Sequence, residues 1–533
     1  MKTLIDCGLS RRSFTAAAAG LALACGSVAG AAHADEPASD GQVPPKWDSA
    51  LPEAWDREAE MVVLGTGIAG CCTAIEGYEL GLDVLVVTAC GDITDCSCTL
   101  SGGWVCGCNT SLQEEEGIED SVETFVKDVR RDGGDFGDPD VIRAWAEISG
   151  ETIDWLWDLG CDVVERTYDA ATSAGSNSHS VARDYMTNPT GNGLGWMVGL
   201  QGAIEDYGIE VIYNTPATKI FRDASGQVVG VQATPKDGGP AINVRATKGV
   251  VVATGGLGTN SDLWGKYSPT IKTIASEARA ILSGAPEDVD GSGIELMADV
   301  DAYIYPTIAN YGGGGIEVAP GEPANAILLP YVWPGSLIEV NANGERFNDE
   351  TSFSVYFSEK PYRDQPGMWH VVVFDETARL SSEGQTYAQP ILDSCAENGI
   401  DATVCGADSI EELAGHFGMD PAVLAATVED FNARVDSQEP DEFGRASFGG
   451  KIETPPFWGI AQDIVTATSK GGAKINPAGQ VIDPDEQPIP GLYAAGECAF
   501  FSIHGNGQEH IVGGCNGSAA SFGRICARSI AAL

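Results

Sequence analysis

Met61-Val62-Val63-Leu64 is a short apolar run that ends abruptly in Gly65-Thr66-Gly67-Ile68-Ala69-Gly70. The residues that follow predict a helix to about Leu80, and Val84–Val87 predicts a second strand. A strand, a GxGxxG turn, a helix and a strand in that order make the unit that cradles a dinucleotide. Gly65 permits the tight turn, Gly67 lets the backbone approach a pyrophosphate, and Gly70 lets helix and strand pack closely. The helix N-terminus then offers free N–H groups and a positive dipole end to that anion. One position departs from the pattern. The acid that would hold a ribose at the end of the second strand is replaced by Thr88, which argues against a nicotinamide site and predicts either weaker binding of the dinucleotide or help from Asp92.

Two later segments repeat the step from strand to glycine. Lys248–Val252 runs into Ala253-Thr254-Gly255-Gly256-Leu257-Gly258-Thr259-Asn260, and Gly491-Leu492-Tyr493-Ala494-Ala495-Gly496-Glu497 does the same near the end of the chain. Both let the backbone close on a cofactor.

With 533 residues, a hydrophobic fraction of 43% and a net charge of −47, the chain reads as globular and soluble, and nucleic acid and anionic membranes are poor partners for it. A cationic electron donor stays open. Ser10-Arg11-Arg12-Ser13-Phe14, an Ala-rich run and Ala32-His33-Ala34 resemble a twin-arginine signal with its cleavage site. Export of the folded protein to the periplasm or another extracytoplasmic space is expected, with a lipid anchor at Cys25 as the alternative and no membrane span after cleavage. Five of the 15 cysteines fall between Cys90 and Cys108. They could pack as small residues, pair, or bind metal, although none of their spacings is CxxC.

Eight segments in order carry a family resemblance: GTGIAG, SGG (Ser101–Gly103), KGVVVATGGLGTN, DGSGIELMA, NANGERFNDE (Asn341–Glu350), EFGR (Glu442–Arg445), GLYAAGE and GSAASFGR (Gly517–Arg524). They are similar to the FAD-binding flavoproteins of the fumarate reductase/succinate dehydrogenase family, which include urocanate reductases and 3-ketosteroid Δ1-dehydrogenases. The resemblance implies an α/β fold, a Rossmann-like FAD-binding domain interrupted by an α+β capping domain, with substrate held between them. Mapped onto this chain, residues 1–34 are the signal, 35–57 a linker, 58–304 and 461–533 the FAD domain, and 305–460 the cap. The implied cofactor contacts are Gly65, Gly67, Ala69, Gly70, Thr88, Ser101, Gly102, Gly103, Ala217, Thr254, Gly255, Glu497, Gly514 and Ser518, with no metal. Cys96–Gly103 contains no His to tether the flavin, so FAD is expected to be non-covalent. There is no CxxCH for haem, so electrons should come from an external cytochrome, quinol-linked or reduced-flavin donor.

The departures from the family speak to substrate. Fumarate reductases hold a dicarboxylate with two His and two Arg. In those places this chain has Tyr305-Pro306, Ser352-Phe353-Ser354, Thr468 before Gly471-Gly472, and Ile511-Val512 before Gly513-Gly514; Arg363 could serve only if residues before it loop out. Fumarate is therefore an unlikely substrate. His510, four residues before Gly514, is the first candidate acid; His504 is a candidate substrate hydrogen bond, and Tyr356 and Tyr305 are further candidate acids. The expected reaction is exchange of hydride between flavin N5 and carbon, reducing a C=C conjugated to a carbonyl in a small organic acceptor during anaerobic respiration. The alternatives are a dehydrogenase of ketosteroid-like substrates and a non-catalytic electron carrier.

Overall fold

The computed structural model describes residues 46–161, 163–166, 179–187, 193–258, 260–268, 276, 278, 281–283, 285–319, 322–325, 336–351, 364–505 and 511–533. The signal, Cys25, Tyr356, Arg363 and His510 lie outside the described residues. No helix among the described residues is long and apolar enough to cross a membrane.

Strands β1 (Arg57–Leu64), β2 (Val84–Val87), β6 (Glu210–Ile212), β9 (Ile242–Val252), β17 (Gln480–Ile482) and β18 (Pro488–Ala494) form a sheet in the order β17-β18-β9-β1-β2-β6. β7 (Ala217–Arg222) and β8 (Val228–Ala233) extend it from β9. The pairs β1–β2, β1–β9, β9–β18 and β2–β6 are parallel. Parallel strands are covered on both faces, which is why Met61–Leu64 and Val84–Val87 carry no polar side chain and all lie buried. Helix α1 (Ile68–Glu79) packs on β1 and on the C-terminal helix Gly514–Ala531. Small residues permit both contacts. A Cβ on Gly77 would lie 2.2 Å from Met61 Cε, and one on Gly523 2.4 Å from Ala69 O. Glu76 on α1 is buried, and Arg524 of the C-terminal helix neutralises it at 2.7 Å.

The second sheet is antiparallel at its centre. It runs β12 (Glu322–Asn325), β11 (Ile304–Ala319), β16 (Phe457–Ala473), β14 (Trp369–Asp375), β13 (Leu337–Asn341), with β10 (Ile281–Ser283) and β15 (Val404–Ala407) also on β16. The period of two is clear along β13 and β14. Ile338, Val340, Val371 and Val373 join one apolar cluster, and Leu337, Val372 and Phe374 join another on the opposite face. The expected border at 460 falls inside β16, whose Phe457–Asp463 pairs with β14 while Asp463–Ala473 pairs with β11. A continuous ladder, and no linker, joins the two parts there. A small third sheet pairs β5 (Asp184–Thr187) with β3 (Val105–Cys106) and β4 (Val163–Arg166).

Two of the motif segments meet inside the second sheet's support. Arg346 grips Glu350 through two bonds of 2.7 Å, Arg445 reaches the same carboxylate at 3.0 Å, and Arg346 also pairs with Asp441 at 2.8 Å. All four are nearly inaccessible, so GERFNDE and EFGR act here as a buried charge lattice.

Candidate cofactor and active site

The ends of the parallel strands open onto one cavity of about 570 Å³. Such crevices at the carboxyl edge of an α/β sheet are where this architecture binds ligands. Gly65 has φ +100°, and a Cβ there would sit 2.5 Å from Ala253 O, so the turn after β1 presses on the turn after β9. Gly67 is the N-cap of α1 and lines the cavity, and a Cβ on it would meet nothing within 4 Å. That open space, in front of a helix N-terminus with no side-chain cap, is the cradle a pyrophosphate needs. Ala69 lines the cavity as well. Gly70 does not; its missing side chain makes room for Gly65 O, 2.1 Å from where a Cβ would stand.

Thr88 is buried at the cavity wall, sharing a 3.1 Å hydrogen bond with Thr66 Oγ1 and accepting one from Cys90 N at 3.2 Å. Asp92 does not assist it. Its carboxylate closes a local turn, accepting from Thr94 N at 2.8 Å and Thr94 Oγ1 at 2.7 Å, and Asp92 is not among the residues lining the cavity. The carboxylates that do line the cavity are Asp95, Asp288, which is paired with Lys236, and Glu497. Ala217, Thr254 and Gly255 line the same space.

Ser101, Gly102, Gly103 and Trp104 form another stretch of wall. Ser101 Oγ donates to Cys98 O at 2.6 Å and accepts from Gly103 N and Asn516 Nδ2, while Trp196 Nε1 holds Gly103 O at 2.6 Å. Glu497 accepts from Ser469 N at 2.6 Å and Ser469 Oγ at 2.9 Å, and burial pushes its carboxyl above the ordinary range. Two hydroxyls on the lining residues, Ser97 Oγ and Thr254 Oγ1, are buried without a hydrogen-bond partner. Glycine cradle, helix end and cavity size all fit FAD.

The structure separates the other expected contacts. Gly513 and Val512 line the cavity, whereas Gly514 and Ser518 lie behind it. His504 is also behind. The short helix Phe501–His504 turns it inward, 4% exposed, against Phe500 and Trp145, and its Nε2 shares a 3.0 Å hydrogen bond with Ser518 Oγ. Its surroundings are those of a packing residue.

No disulfide joins the cysteines among the described residues. Burial pushes those nearest the cavity upward, Cys90 and Cys515 each to about 11, so they are protonated at neutral pH. One group was invisible in the sequence. Cys106, His179 and Asp184 place their ligand atoms within 4.8 Å of one another. These are metal-ligand types, but Arg183 Nη1 lies 3.4 Å from His179 Nδ1 and can only donate to it. The ring proton is thereby fixed on Nε2, which faces Val512 O at 2.8 Å and Asp184 Oδ1 at 3.1 Å. His179 and Asp184 form a hydrogen-bonded prop behind the Val512–Gly513 wall, where Cys106 N donates to Gly513 O and Asp184 Oδ1 lies 2.8 Å from where a Gly513 Cβ would be.

A family model described as an FAD binding domain matches residues 60–510. The chain belongs to that family. It is an FAD-binding oxidoreductase of the fumarate reductase-like kind. Among its relatives is the urocanate reductase of Eggerthella lenta, 29% identical over 90% of this chain and 76% of that protein. The digoxin reductase of the same organism is 29% identical over 99% of this chain and 98% of its own length. The open conformation of a flavocytochrome c3 fumarate reductase matches this flavoprotein's fold with a TM-score of 0.72, at 24% identity over 94% of this chain and 84% of that one.

Proposed function

We propose that this flavoprotein reduces a C=C conjugated to a carbonyl in a small organic acceptor other than fumarate. The observation that carries the reading is the cavity lining: among the described residues it contains no Arg, Lys or His. Among those residues a dicarboxylate would find no fixed cation, whereas a neutral or singly charged molecule would find Trp104, Phe500, Val512 and Cys515. The reductase relatives of urocanate and digoxin support an acceptor of this breadth.

Bound FAD supplies hydride at N5. The chain's own residues do the rest. Gly67 and the α1 N-terminus hold the pyrophosphate, and Trp104 and Phe500 exclude water. His510 delivers the proton, with Tyr356 next in line. Residues 305–460 act as the cap. The lack of His in Cys96–Gly103 leaves FAD dissociable, and acid precipitation should release it into the supernatant. The protein works outside the cytoplasm with an external electron donor, and cell fractionation checks that placement. The decisive experiment is an anaerobic screen of chemically reduced protein against fumarate and a panel of enoate, cinnamate and steroid acceptors. Flavin reoxidation by one of the larger acceptors, faster than by fumarate, is expected. Fumarate as the best acceptor would overturn the reading.

A further inference from the structure

The cofactor cavity is walled almost entirely by the strand ends of the eight-stranded sheet and the loops beside them. Between β13 and β16, four described residues also reach it: Thr386, Tyr387, Pro390 and Ile391. They belong to a π-helical turn, Gly384–Ala388, that runs into the helix Gln389–Asn398. The turn has a cause in the sequence. Pro390 has no N–H to give to the carbonyl of Thr386, so the α-helical bond between them is lost and the coil widens.

The turn is also tethered. A Cβ on Gly384 would lie 2.3 Å from Ala378 O, so the turn sits flat on the helix Glu376–Arg379. Arg379 pairs with Glu376 at 2.6 Å and hydrogen-bonds Gln389, while Glu376 accepts from Trp458 Nε1 of β16 at 2.8 Å. Ala388 and Leu392 are buried on the sheet side. Tyr387 is not; it keeps 40% of its surface exposed at the cavity, where Leu100 of α2 (Ser97–Leu100) keeps 46%. Two large apolar side chains left to water at one cavity are unusual unless a ligand covers them.

We propose that Tyr387 is a cofactor-binding residue supplied by the capping sheet, so that retention of FAD depends on where the cap sits. The proposal rests on the FAD assignment. With the cofactor in place the Tyr387 ring packs against it, and the Arg379–Glu376–Trp458 tether fixes the distance between that ring and β16.

The test is titration of FAD into the apo form of the full chain, followed by flavin fluorescence, with release rates from stopped-flow dilution. Tyr387→Ala should raise the Kd about tenfold and speed release, since an aromatic packing partner is lost. Tyr387→Phe should bind as the wild type does. Arg379→Ala, which cuts the tether without touching the cavity, should weaken FAD in the same direction. The apo forms of wild type and Tyr387→Ala should melt together, because the side chain is exposed. Equal FAD affinity in Tyr387→Ala and wild type would overturn the proposal, and wild-type affinity in Arg379→Ala would overturn its dependence on the cap. A wild type that binds no FAD would instead remove the cofactor assignment itself.

Discussion

The two large sheets solve the same problem of burial with opposite materials. The strands β1, β2 and β9 bury aliphatic side chains from Met61 to Leu64, Val84 to Val87 and Val250 to Val252, and at the cavity glycine turns bring backbone forward. In the second sheet and its supports, Glu339, Asn341, His370, Gln462, Glu350, Arg346 and Arg445 are buried or nearly so. The first arrangement can bring peptide groups against an anion without competing side chains. The second is fixed by charges that are tolerable only in the presence of their partners. Different substitutions should therefore break the two regions.

The largest effect belongs to the glycines. Gly67→Val should give a folded, colourless protein, because its side chain meets no protein atom and fills only the pyrophosphate space. Gly70→Val should instead lower the melting temperature, because its clash is with the backbone of Gly65. Absorbance near the flavin bands and a thermal scan separate the two. Equal FAD content in Gly67→Val and wild type would mean that the cradle lies elsewhere.

His510 asks which region supplies the proton. His510→Ala should lower turnover by about 10²–10⁴-fold with FAD still bound, and His510→Gln should fail alike if the role is proton transfer. Recovery by Gln, with Ala raising KM, would make it a binding group. Full activity in both would move the acid to the cap side, with Tyr356 first.

Glu350→Gln tests the charge lattice. It leaves the buried Arg346 and Arg445 without their shared carboxylate and should cost about 3–5 kcal/mol in urea unfolding. A change under about 1 kcal/mol would show that the pairs contribute no more than exposed ones do.

The comparison also explains what the sequence could tell. Gly65, Gly67, Thr88 and Gly255 were legible because their roles follow from local chain geometry, a strand stopping at a glycine. That Asp95 and not Asp92 lines the cavity was not legible, because the local turn that Asp92 closes with Thr94 leaves no periodicity in the sequence. His504 was read as a group that could hydrogen-bond substrate, yet the direction of a four-residue helix put it against Trp145. Tyr387 carried no signal, since its meeting with the cofactor side depends on a tether to Trp458. The Cys106–His179–Asp184 group needed β3 and β5 to pair.

The smallest expected effect compares two buried carboxylates. Glu350 is held by two guanidinium groups, whereas Glu497 is held by the neutral N–H and hydroxyl of Ser469. Burial raises the Glu497 carboxyl above its ordinary 4.5, and the Ser469 hydrogen bonds only partly offset this. A carboxyl whose folded value exceeds its unfolded one binds its proton more tightly when folded. Its contribution is thus complete below 4.5 and is lost as pH rises through the raised value. Glu497→Gln keeps the acceptor oxygen and never acquires charge. The apo forms of wild type and variant should melt close together near about pH 4, and the variant should gain on the wild type as pH rises towards about 8. Parallel melting curves across that window would mean that the carboxylate is stabilised where it lies, and would erase this contrast between the two regions.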